Sequence, residues 1–441
     1  MNHEEGHDFL GRDCASGVVI RGENIMPLHR AESCPVCVRY AKINEVGNPY
    51  YRKVTGKSGT TIEFDGEPTL LAAGNDYLDL STDPRVTRAA HDAIDRYGVG
   101  ITGSPLMNGY LDIHAQLEDE LAEWVGKEAG MVFAAGLLAN VGPLSQIIRF
   151  NYDTAVVSDE SIHASLIDGI RLGRPKYVAR FAHNDVSELR AGLQKVSEKT
   201  SNILIVVEGT YSVEGDLAAL PDIVAVAREF GAEIFLDDAH GVGVLGAGRG
   251  TAAHFGLADQ IDYITGTFSK SFGSSGGFLC TSREAMHHFA AQCPSHMFAA
   301  ALAPALTAAA LCALEIMRQE PHRSDHALHM ANTLREELRA LGFDATGVTP
   351  VVPVSLKGLF GSSGDLDLLQ KEMIGAIEAQ SRLLSEHGVY ANPFIPPGSP
   401  DPLLRLSVTA GFDDDDIKKI VDAFAALRET IPGFGTEQPA S

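Results

Sequence analysis

Basic residues are scarce in this sequence, which holds 35 Lys and Arg against 58 Asp and Glu and has a formal net charge of −23. Proteins that bind nucleic acid gain affinity mainly from Lys and Arg contacts to phosphates. The charge balance therefore argues against a nucleic-acid partner. It also requires a local cluster of positive charge for any anionic substrate, because the overall field repels anions.

Cysteine is also rare, with six residues in a chain of 441. So few cysteines do not indicate the disulfide framework of a small secreted domain. Cys34 and Cys37 form a single C-x-x-C motif. No second pair follows at the spacing of a structural zinc site, which needs about four ligands. We therefore predict no metal site and a reduced cysteine pair in an N-terminal extension.

Long uninterrupted apolar runs are missing. The longest, Met297–Met317, contains Pro304, Thr307 and Glu315 and is more typical of a buried helix than of a membrane span. The segment Met1–His7 is acidic and polar, whereas a signal peptide opens with basic and then apolar residues. These patterns predict a cytoplasmic protein without a membrane span.

The sequence does have short apolar runs that alternate with amphipathic helices from about residue 130 onward. We interpret the following runs as buried strands: Val156–Val157, Ile203–Val207, Ile234–Leu236, Tyr263–Ile264 and Phe278–Cys280. This alternation predicts an α/β fold with a mostly parallel central sheet.

The two ends of the chain differ from this central part. Residues before about 45 show no sustained periodicity, and two short strands are predicted at Thr61–Phe64 and Thr69–Ala72. A helix is predicted to begin at Asp83, and a final helix is capped by the acidic run Asp413–Asp416. The predicted division is an N-terminal extension and arm (1–75), a large domain (76–317) and a smaller α+β C-terminal domain (318–441).

A lysine in a distinctive setting is the first candidate for chemistry. The stretch Thr265–Gly277, TGTFSKSFGSSGG, follows an apolar strand and carries Lys270 among small and hydroxyl residues. The amine of Lys270 can form a Schiff base, the hydroxyls of Thr267 and Ser269 can donate to phosphate oxygens, and the glycines let a cofactor approach the backbone. The alternative is a surface lysine in a loop of Gly and Ser.

A second strand end carries acidic residues and a histidine, in the stretch Ile234–Gly243, IFLDDAHGVG. Asp237 can pair with the protonated pyridine nitrogen of pyridoxal phosphate, and His240 can reach the phenolic oxygen of the ring. We expect Asp237, not Asp238, to face the ring, because neighbouring strand residues point to opposite faces. The alternative is a helix cap beside an ordinary loop histidine.

Together these stretches resemble the α-oxoamine synthases, a family within the fold type I pyridoxal-phosphate enzymes, over residues 75 to 424. Besides the stretches around Lys270 and Asp237, the motifs that carry the resemblance are Asn75–Leu78 (NDYL), Gly103-Ser104 with Asn108-Gly109 and His114, Phe133–Asn140 (FAAGLLAN), Asp159–Ser165 (DESIHAS), Glu208–Asp216 (EGTYSVEGD) and LLRLSVTA around Arg405. Four positions depart from the family pattern: Asp79, Pro105, Ala135 and Leu137.

The resemblance implies the fold of a fold type I PLP-dependent transferase with bound pyridoxal 5'-phosphate. It implies that His163 stacks on the cofactor ring, that Ser212 lies near its phenolic oxygen, and that Asn75 and Arg405 hold the substrate carboxylate. The predicted catalytic residues are Lys270, His163, Asp237 and His240. The predicted cofactor-binding residues are Gly136, Leu137, His163, Ser212, Asp237, His240, Thr267, Ser269 and Lys270.

The implied activity joins a small amino acid to a medium or long acyl thioester with loss of carbon dioxide. Serine is favoured as the amino acid, with alanine or glycine possible. The stretch Val389–Leu404 most resembles serine palmitoyltransferases, and its apolar Phe394 and Ile395 favour a long acyl chain. The stretch Phe181–Val186 instead resembles 8-amino-7-oxononanoate synthases, which makes that activity the runner-up. Glycine C-acetyltransferase and 5-aminolevulinate synthase are less favoured.

Two other classes of function stay open on the sequence. One is an aminotransferase of the same fold, and the other is a catalytically inactive partner subunit, which the presence of Lys270, Asp237 and His240 disfavours. The expected partners are the amino acid, an acyl-CoA or acyl carrier protein, and a second copy of the chain in a homodimer.

Overall fold

The computed structural model describes residues 48–359, 368–396 and 398–431 of the chain. Cys34 and Cys37, for which we predict a reduced pair, lie outside these residues. Within the described ranges, no helix is long and apolar enough to cross a membrane.

The structure is built from short strands and longer helices, numbered here in chain order. The strands are β1 (Thr61–Phe64), β2 (Glu67–Leu71), β3 (Ala129–Phe133), β4 (Ala155–Asp159), β5 (Tyr177–Phe181), β6 (Ile203–Glu208), β7 (Glu233–Asp237), β8 (Tyr263–Thr267), β9 (Gly277–Thr281), β10 (Asp344–Ala345), β11 (Val351–Ser355), β12 (Val389–Tyr390), β13 (Asn392–Phe394) and β14 (Leu403–Ser407). The helices are α1 (Pro84–Tyr97), α2 (Asp112–Val125), α3 (Gly136–Phe150), α4 (Ala164–Gly173), α5 (Val186–Ser197), α6 (Leu220–Phe230), α7 (Thr251–His254), α8 (Arg283–Gln292), α9 (Pro294–Met297), α10 (Pro304–Gln319), α11 (His322–Ala340), α12 (Leu368–His387) and α13 (Asp414–Thr430).

The central sheet has seven strands in the order β3-β9-β8-β7-β6-β4-β5. Strands β8, β7, β6, β4 and β5 are parallel, and β9 runs antiparallel to both β8 and β3. The predicted α/β fold with a mostly parallel sheet is confirmed. The one reversed strand is β9, because only the short segment 268–276 joins it to β8, and a parallel return needs a crossover of about a dozen residues or more.

Both predicted helix starts are confirmed, and side chains explain them. The carboxylate of Asp83 accepts a hydrogen bond from the Arg85 amide at 2.8 Å, and Pro84 is the first residue of α1. At α13, Asp413 accepts from the amide of Asp416 at 3.0 Å. The acidic run after Asp413 lies in the first turn, where the helix dipole favours negative charge.

The apolar run Met297–Met317 is not one buried helix, so that part of the interpretation is wrong. Helix α9 ends at Met297, and α10 begins only at Pro304. Proline suits the first position of a helix, where no backbone donor is needed. Between the two helices Phe298 is exposed, with 79% of its surface accessible.

A second sheet, β10-β11-β14-β13, is antiparallel throughout and lies in the C-terminal part of the chain. Strands β1 and β2 of the N-terminal arm form a third sheet with β12, which pairs in parallel with β2. Leu70 and Ala72 are accordingly buried in the same apolar core as Leu404 and Phe424. The arm therefore packs on the C-terminal part, and the three-part division by sequence stays a proposal.

The parallel strands fix where polar side chains gather. Strands β4, β6, β7 and β8 end at Asp159, Glu208, Asp237 and Thr267. Since parallel strands have their carboxyl ends at one edge of the sheet, these four residues lie along the edge where ligands bind in α/β proteins.

Candidate active site

A cavity of about 200 Å³ opens at this edge of the central sheet. The predicted site residues that line it are Gly136, Leu137, His163, Asp237, His240, Thr267, Ser269 and Lys270. A neighbouring cavity of similar volume shares Ser269 and Lys270 and reaches Asn75. Ser212 and Arg405 line neither cavity. Arg405 contacts both Asn75 and Ser212.

Asp237 is held at the end of β7 by two donors. Its Oδ2 accepts a hydrogen bond from Asn140 Nδ2 at 2.7 Å, and its Oδ1 accepts from the Ala239 amide at 3.1 Å. Asn140 is itself fixed, because its Oδ1 accepts from the Thr265 hydroxyl at 2.7 Å. The carboxylate of Asp237 therefore faces the cavity in a fixed orientation.

Asp238 points into the protein and not into this cavity. Its Oδ2 accepts from the Thr251 amide and its Oδ1 from the Thr251 hydroxyl, both at 2.6 Å. Burial raises the pKa of Asp238 to about 6, although the two bonds from Thr251 oppose that shift. The geometry places Asp237 at the cavity and gives Asp238 a structural position, as the strand alternation predicts.

Lys270 follows β8 and contacts both cavities. Burial lowers the pKa of its amine, and the nearby charge of Arg405 lowers it further, while Asp237 and Glu208 oppose the change. A lowered pKa increases the share of neutral amine, which is the nucleophilic form. The surroundings of Lys270 therefore suit covalent chemistry better than those of a surface lysine.

The end of the cavity between α3 and β8 has the features of an anion site. Helix α3 begins at Gly136, and its N-cap residue Ala135 forms no side-chain cap. A Cβ at Gly136 would lie 2.8 Å from the Thr267 hydroxyl, so a larger residue would crowd that group. The hydroxyls of Thr267 and Ser269 lie 2.8 Å apart. Amides at a helix start and adjacent hydroxyls together suit a phosphate.

At the other side of Lys270, a hydrogen-bonded chain connects His240 to Arg405. Tyr77 Oη lies 2.7 Å from His240 Nδ1 and 3.2 Å from Asn75 Oδ1. Arg405 Nη2 donates to Asn75 Oδ1 at 3.1 Å and to Tyr77 Oη at 3.3 Å, and Arg405 Nε donates to the carbonyl oxygen of Ser212 at 2.6 Å. Burial, with the charges of Lys270 and Arg405, lowers the pKa of His240 well below its usual value, so its ring is neutral.

Arg405 is a buried cation, with 3% of its surface exposed. Among the described residues it forms no ion pair with a carboxylate, and its contacts are neutral oxygens and the ring of Phe394, 5.8 Å from the guanidinium carbon. A buried charge without a counter-ion is costly unless a partner arrives. The position therefore suits the carboxylate of a substrate.

His163 and Ser212 differ in how far the structure supports their predicted places. His163 lines the cavity, and its Nδ1 lies 2.7 Å from the Ser165 hydroxyl, which orients the ring. Ser212 meets Arg405 through its carbonyl oxygen, and its side chain is not part of the cavity wall. The stacking role of His163 and the phenolic contact of Ser212 stay predictions.

Sequence reasoning missed three residues that shape the site: Tyr77, Asn140 and Glu208. All three stand inside motifs quoted for the resemblance, but the contacts of Tyr77 and Asn140 are to residues far away in the chain. Glu208 closes β6 directly beside Asp237. A polar residue at the end of a buried strand is the sequence signal that marks Glu208, as it marks Asp237.

The residues present fit pyridoxal phosphate. The start of helix α3 and the two hydroxyls suit its phosphate, and the Lys270 amine suits its aldehyde. The Asp237 carboxylate suits its ring nitrogen, and the neutral His240 ring suits its phenolic oxygen. The protein residues that would hold these four parts of the cofactor all line one cavity, and they are the residues that the resemblance assigns to cofactor binding.

Comparison with known proteins agrees with this geometry. The sequence matches the family Aminotransferase class I and II over residues 69–424. It is 38% identical over 377 residues to the serine palmitoyltransferase of Sphingobacterium spiritivorum, covering 85% of this chain and 90% of that protein. It is also 38% identical over 357 residues to the 8-amino-7-oxononanoate synthase of Lysinibacillus sphaericus, covering 80% and 87% of the two chains.

Among solved structures, a serine palmitoyltransferase with its PLP internal aldimine superimposes with a TM-score of 0.81 at 29% identity. The match covers 89% of this chain and 96% of that one. The chain therefore belongs to the aminotransferase class I and II family and, within it, to the α-oxoamine synthases.

Proposed function

We propose that this chain is a pyridoxal-phosphate-dependent acyltransferase that condenses a small amino acid, serine first, with a medium or long acyl thioester and releases carbon dioxide. The observation that carries the proposal is the placement of Lys270, between the Asp237 cavity and the Asn75–Arg405 pair. The relatives named serine palmitoyltransferase support the choice of substrates. The resemblance to an 8-amino-7-oxononanoate synthase supports the runner-up activity.

Bound pyridoxal phosphate supplies an electron sink for the electrons of the substrate Cα, provided its ring nitrogen stays protonated. Asp237 keeps that nitrogen protonated by presenting a negative charge to it. The fixed position of Asp237 between Asn140 and Ala239 means that this charge is already oriented before the substrate arrives.

The other residues bind the amino acid and move its proton. Arg405 and Asn75 hold the carboxylate, which supplies the anion that the buried guanidinium lacks. The Lys270 amine, whose pKa burial lowers, removes the proton from the substrate Cα. The anchors assigned to the amino acid, Asn75 and Arg405, would hold only its carboxylate, so they favour no particular side chain and are compatible with a small amino acid.

The two residues that we linked to the acyl chain differ in their surroundings. Phe394 lies beside the guanidinium of Arg405, and Ile395 is buried in the C-terminal core. A long acyl donor stays a proposal, which the relatives named serine palmitoyltransferase support. Coenzyme A is the favoured carrier, because an acidic carrier protein would meet a chain of net charge −23.

We also propose that the enzyme is a homodimer. Val99, Met107 and Phe298 expose 78–79% of their surface, and Leu106 and Tyr110 expose half. The two segments adjoin, because the Ala301 amide donates to the Gly103 carbonyl oxygen at 3.0 Å. An exposed apolar patch of this kind is typical of a protein interface.

The first prediction concerns Lys270. The purified protein should be yellow, and borohydride should fix the cofactor to a peptide that contains Lys270, since its buried amine lines both cavities. Lys270→Ala should bind no cofactor irreversibly after this treatment, whereas the surface variant Lys176→Ala should behave as wild type. Mass spectrometry of the digested protein gives the answer. An adduct that persists in Lys270→Ala would remove Lys270 from its role.

The second prediction separates the two neighbouring aspartates. Asp237→Asn should lower kcat by orders of magnitude, because the ring nitrogen loses its negative partner, and should change the unfolding temperature little. Asp238→Asn should keep turnover within about tenfold and lose roughly 1–3 kcal/mol of stability, because it weakens two bonds to Thr251. Steady-state kinetics and thermal unfolding of both variants test this. The opposite ranking of the two kcat values contradicts the assignment.

The third prediction concerns the substrates. Thiol release should be fastest with serine and with octanoyl- or palmitoyl-CoA, and slow with acetyl-CoA, because each buried methylene contributes about 0.8 kcal/mol. The assay crosses serine, alanine and glycine with the three donors. If acetyl-CoA is preferred, the long donor is wrong while the family assignment stands. A new amino product without thiol release would instead identify an aminotransferase.

The fourth prediction concerns assembly. Sedimentation should give about twice the chain mass of 47.1 kDa. The double variant Met107→Asp/Phe298→Asp should be monomeric and poorly active, because charges replace the apolar patch. Tyr152→Asp, which alters an equally exposed aromatic residue before β4, is the matched control and should stay dimeric. A fully active wild-type monomer would refute the homodimer.

A further inference from the structure

Glu208 and Asp237 are neighbours at the edge of the central sheet. They are register partners on the parallel strands β6 and β7, and each is the last residue of its strand. Because the strands are parallel and in register, the two side chains leave the sheet on the same side. Both line the cavity that also holds Lys270. The site therefore contains two adjacent carboxyl groups, and the mechanism above uses only Asp237.

The two carboxyl groups are bonded differently. Both oxygens of Asp237 accept hydrogen bonds, from Asn140 and from the Ala239 amide. Glu208 is 2% exposed, so its carboxyl group is almost fully removed from water. Its Oε1 is fully buried and has no hydrogen-bond partner within the described part of the chain. A buried ionised carboxylate without donors is costly, whereas a protonated one can act as a donor itself.

The charges around Glu208 favour the protonated form. Burial raises the pKa of Glu208 well above its usual value, and the negative charge of Asp237 raises it further, with a smaller contribution from Glu214. The cation of Lys270 and the amide of His163 oppose this rise. His240 also lines the cavity, but its ring is neutral. When two adjacent carboxyl groups compete, the one with fewer donors keeps the proton.

We propose that Glu208 is a neutral carboxylic acid in the working enzyme, so that the Glu208–Asp237 pair presents one negative charge to the cofactor cavity instead of two. Glu208 is thus a positioning residue, because it acts on the cavity only through its effect on the charges of Asp237 and Lys270. A single negative charge matches a single protonated ring nitrogen. It also avoids a second anion beside Lys270, which would favour the protonated, non-nucleophilic amine. The protonation state of Glu208 does not depend on the proposed function, and only the identity of the group bound in the cavity rests on it.

The sign of the pH dependence follows from the raised pKa. A carboxyl group whose pKa is higher in the folded than in the unfolded protein destabilises the fold increasingly as the pH rises above its unfolded value of about 4.3. This loss of folding stability stops growing once the pH exceeds the pKa of the group in the folded protein. Glu208→Gln keeps the shape and cannot ionise, so it removes this loss.

The experiment compares the thermal unfolding of full-length wild type and Glu208→Gln between pH 5 and 9, with and without added pyridoxal phosphate. The unfolding temperature of Glu208→Gln should exceed that of wild type by an amount that grows by about 1.5 °C for each pH unit above 5. Glu336→Gln, which alters an exposed glutamate on α11, is the matched control and should show a constant difference. A constant difference for Glu208→Gln as well would overturn the proposal.

A second measurement covers the case in which Glu208→Gln does not fold. The infrared carbonyl band of a protonated carboxylic acid should be present in wild type at pH 8. Burial raises the pKa of Asp238 to about 6 and of Glu118 to about 7, so both are mostly ionised at that pH. Absence of the band would overturn the proposal. A protein that shows the band but binds no pyridoxal phosphate would leave the proposal standing and refute the proposed function.

Discussion

The arrangement of the site depends on the hydrogen bonds of one buried cation, the guanidinium of Arg405. It contacts Asn75 from the N-terminal arm and Ser212 from the loop after β6, while its own strand, β14, belongs to the C-terminal sheet. Three separate parts of the chain therefore meet at one cation. Because its partners are neutral oxygens, they orient the charge without neutralising it, and its remaining attraction is available to an anionic substrate. The same contacts that join these three parts of the chain also fix the position of the buried cation.

Much of the site could be predicted because strand ends are visible in the sequence. An apolar run followed by a polar residue located Asp237 and Lys270, and a parallel sheet brings such ends to one edge. Helix starts were equally readable at Asp83 and Asp413, since capping is a local interaction. The direction of β9 was not readable, because a short apolar run carries no sign of its orientation.

The contacts that were missed join residues distant in sequence. Tyr77 lies 163 positions before His240, and Asn140 lies 97 positions before Asp237. No periodicity records such a pairing. The position of Phe394 over Arg405 could not be predicted for the same reason, since the sequence shows only that the residue is apolar. Composition identifies the kind of residue, and only the fold decides which partner it meets.

The pairing of β2 with β12 has a consequence for the order in which the protein is completed. Leu70 and Leu71 align with Val389 and Tyr390, so the third sheet cannot form until residue 390 has been synthesised. A chain still on the ribosome can already hold the central sheet with Lys270 and Asp237. Asn75 cannot contact Arg405 until residue 405 has been synthesised, and contacts of such long range also form slowly. The order of synthesis therefore makes the residues of the central-sheet cavity available well before the Asn75–Arg405 contact can form.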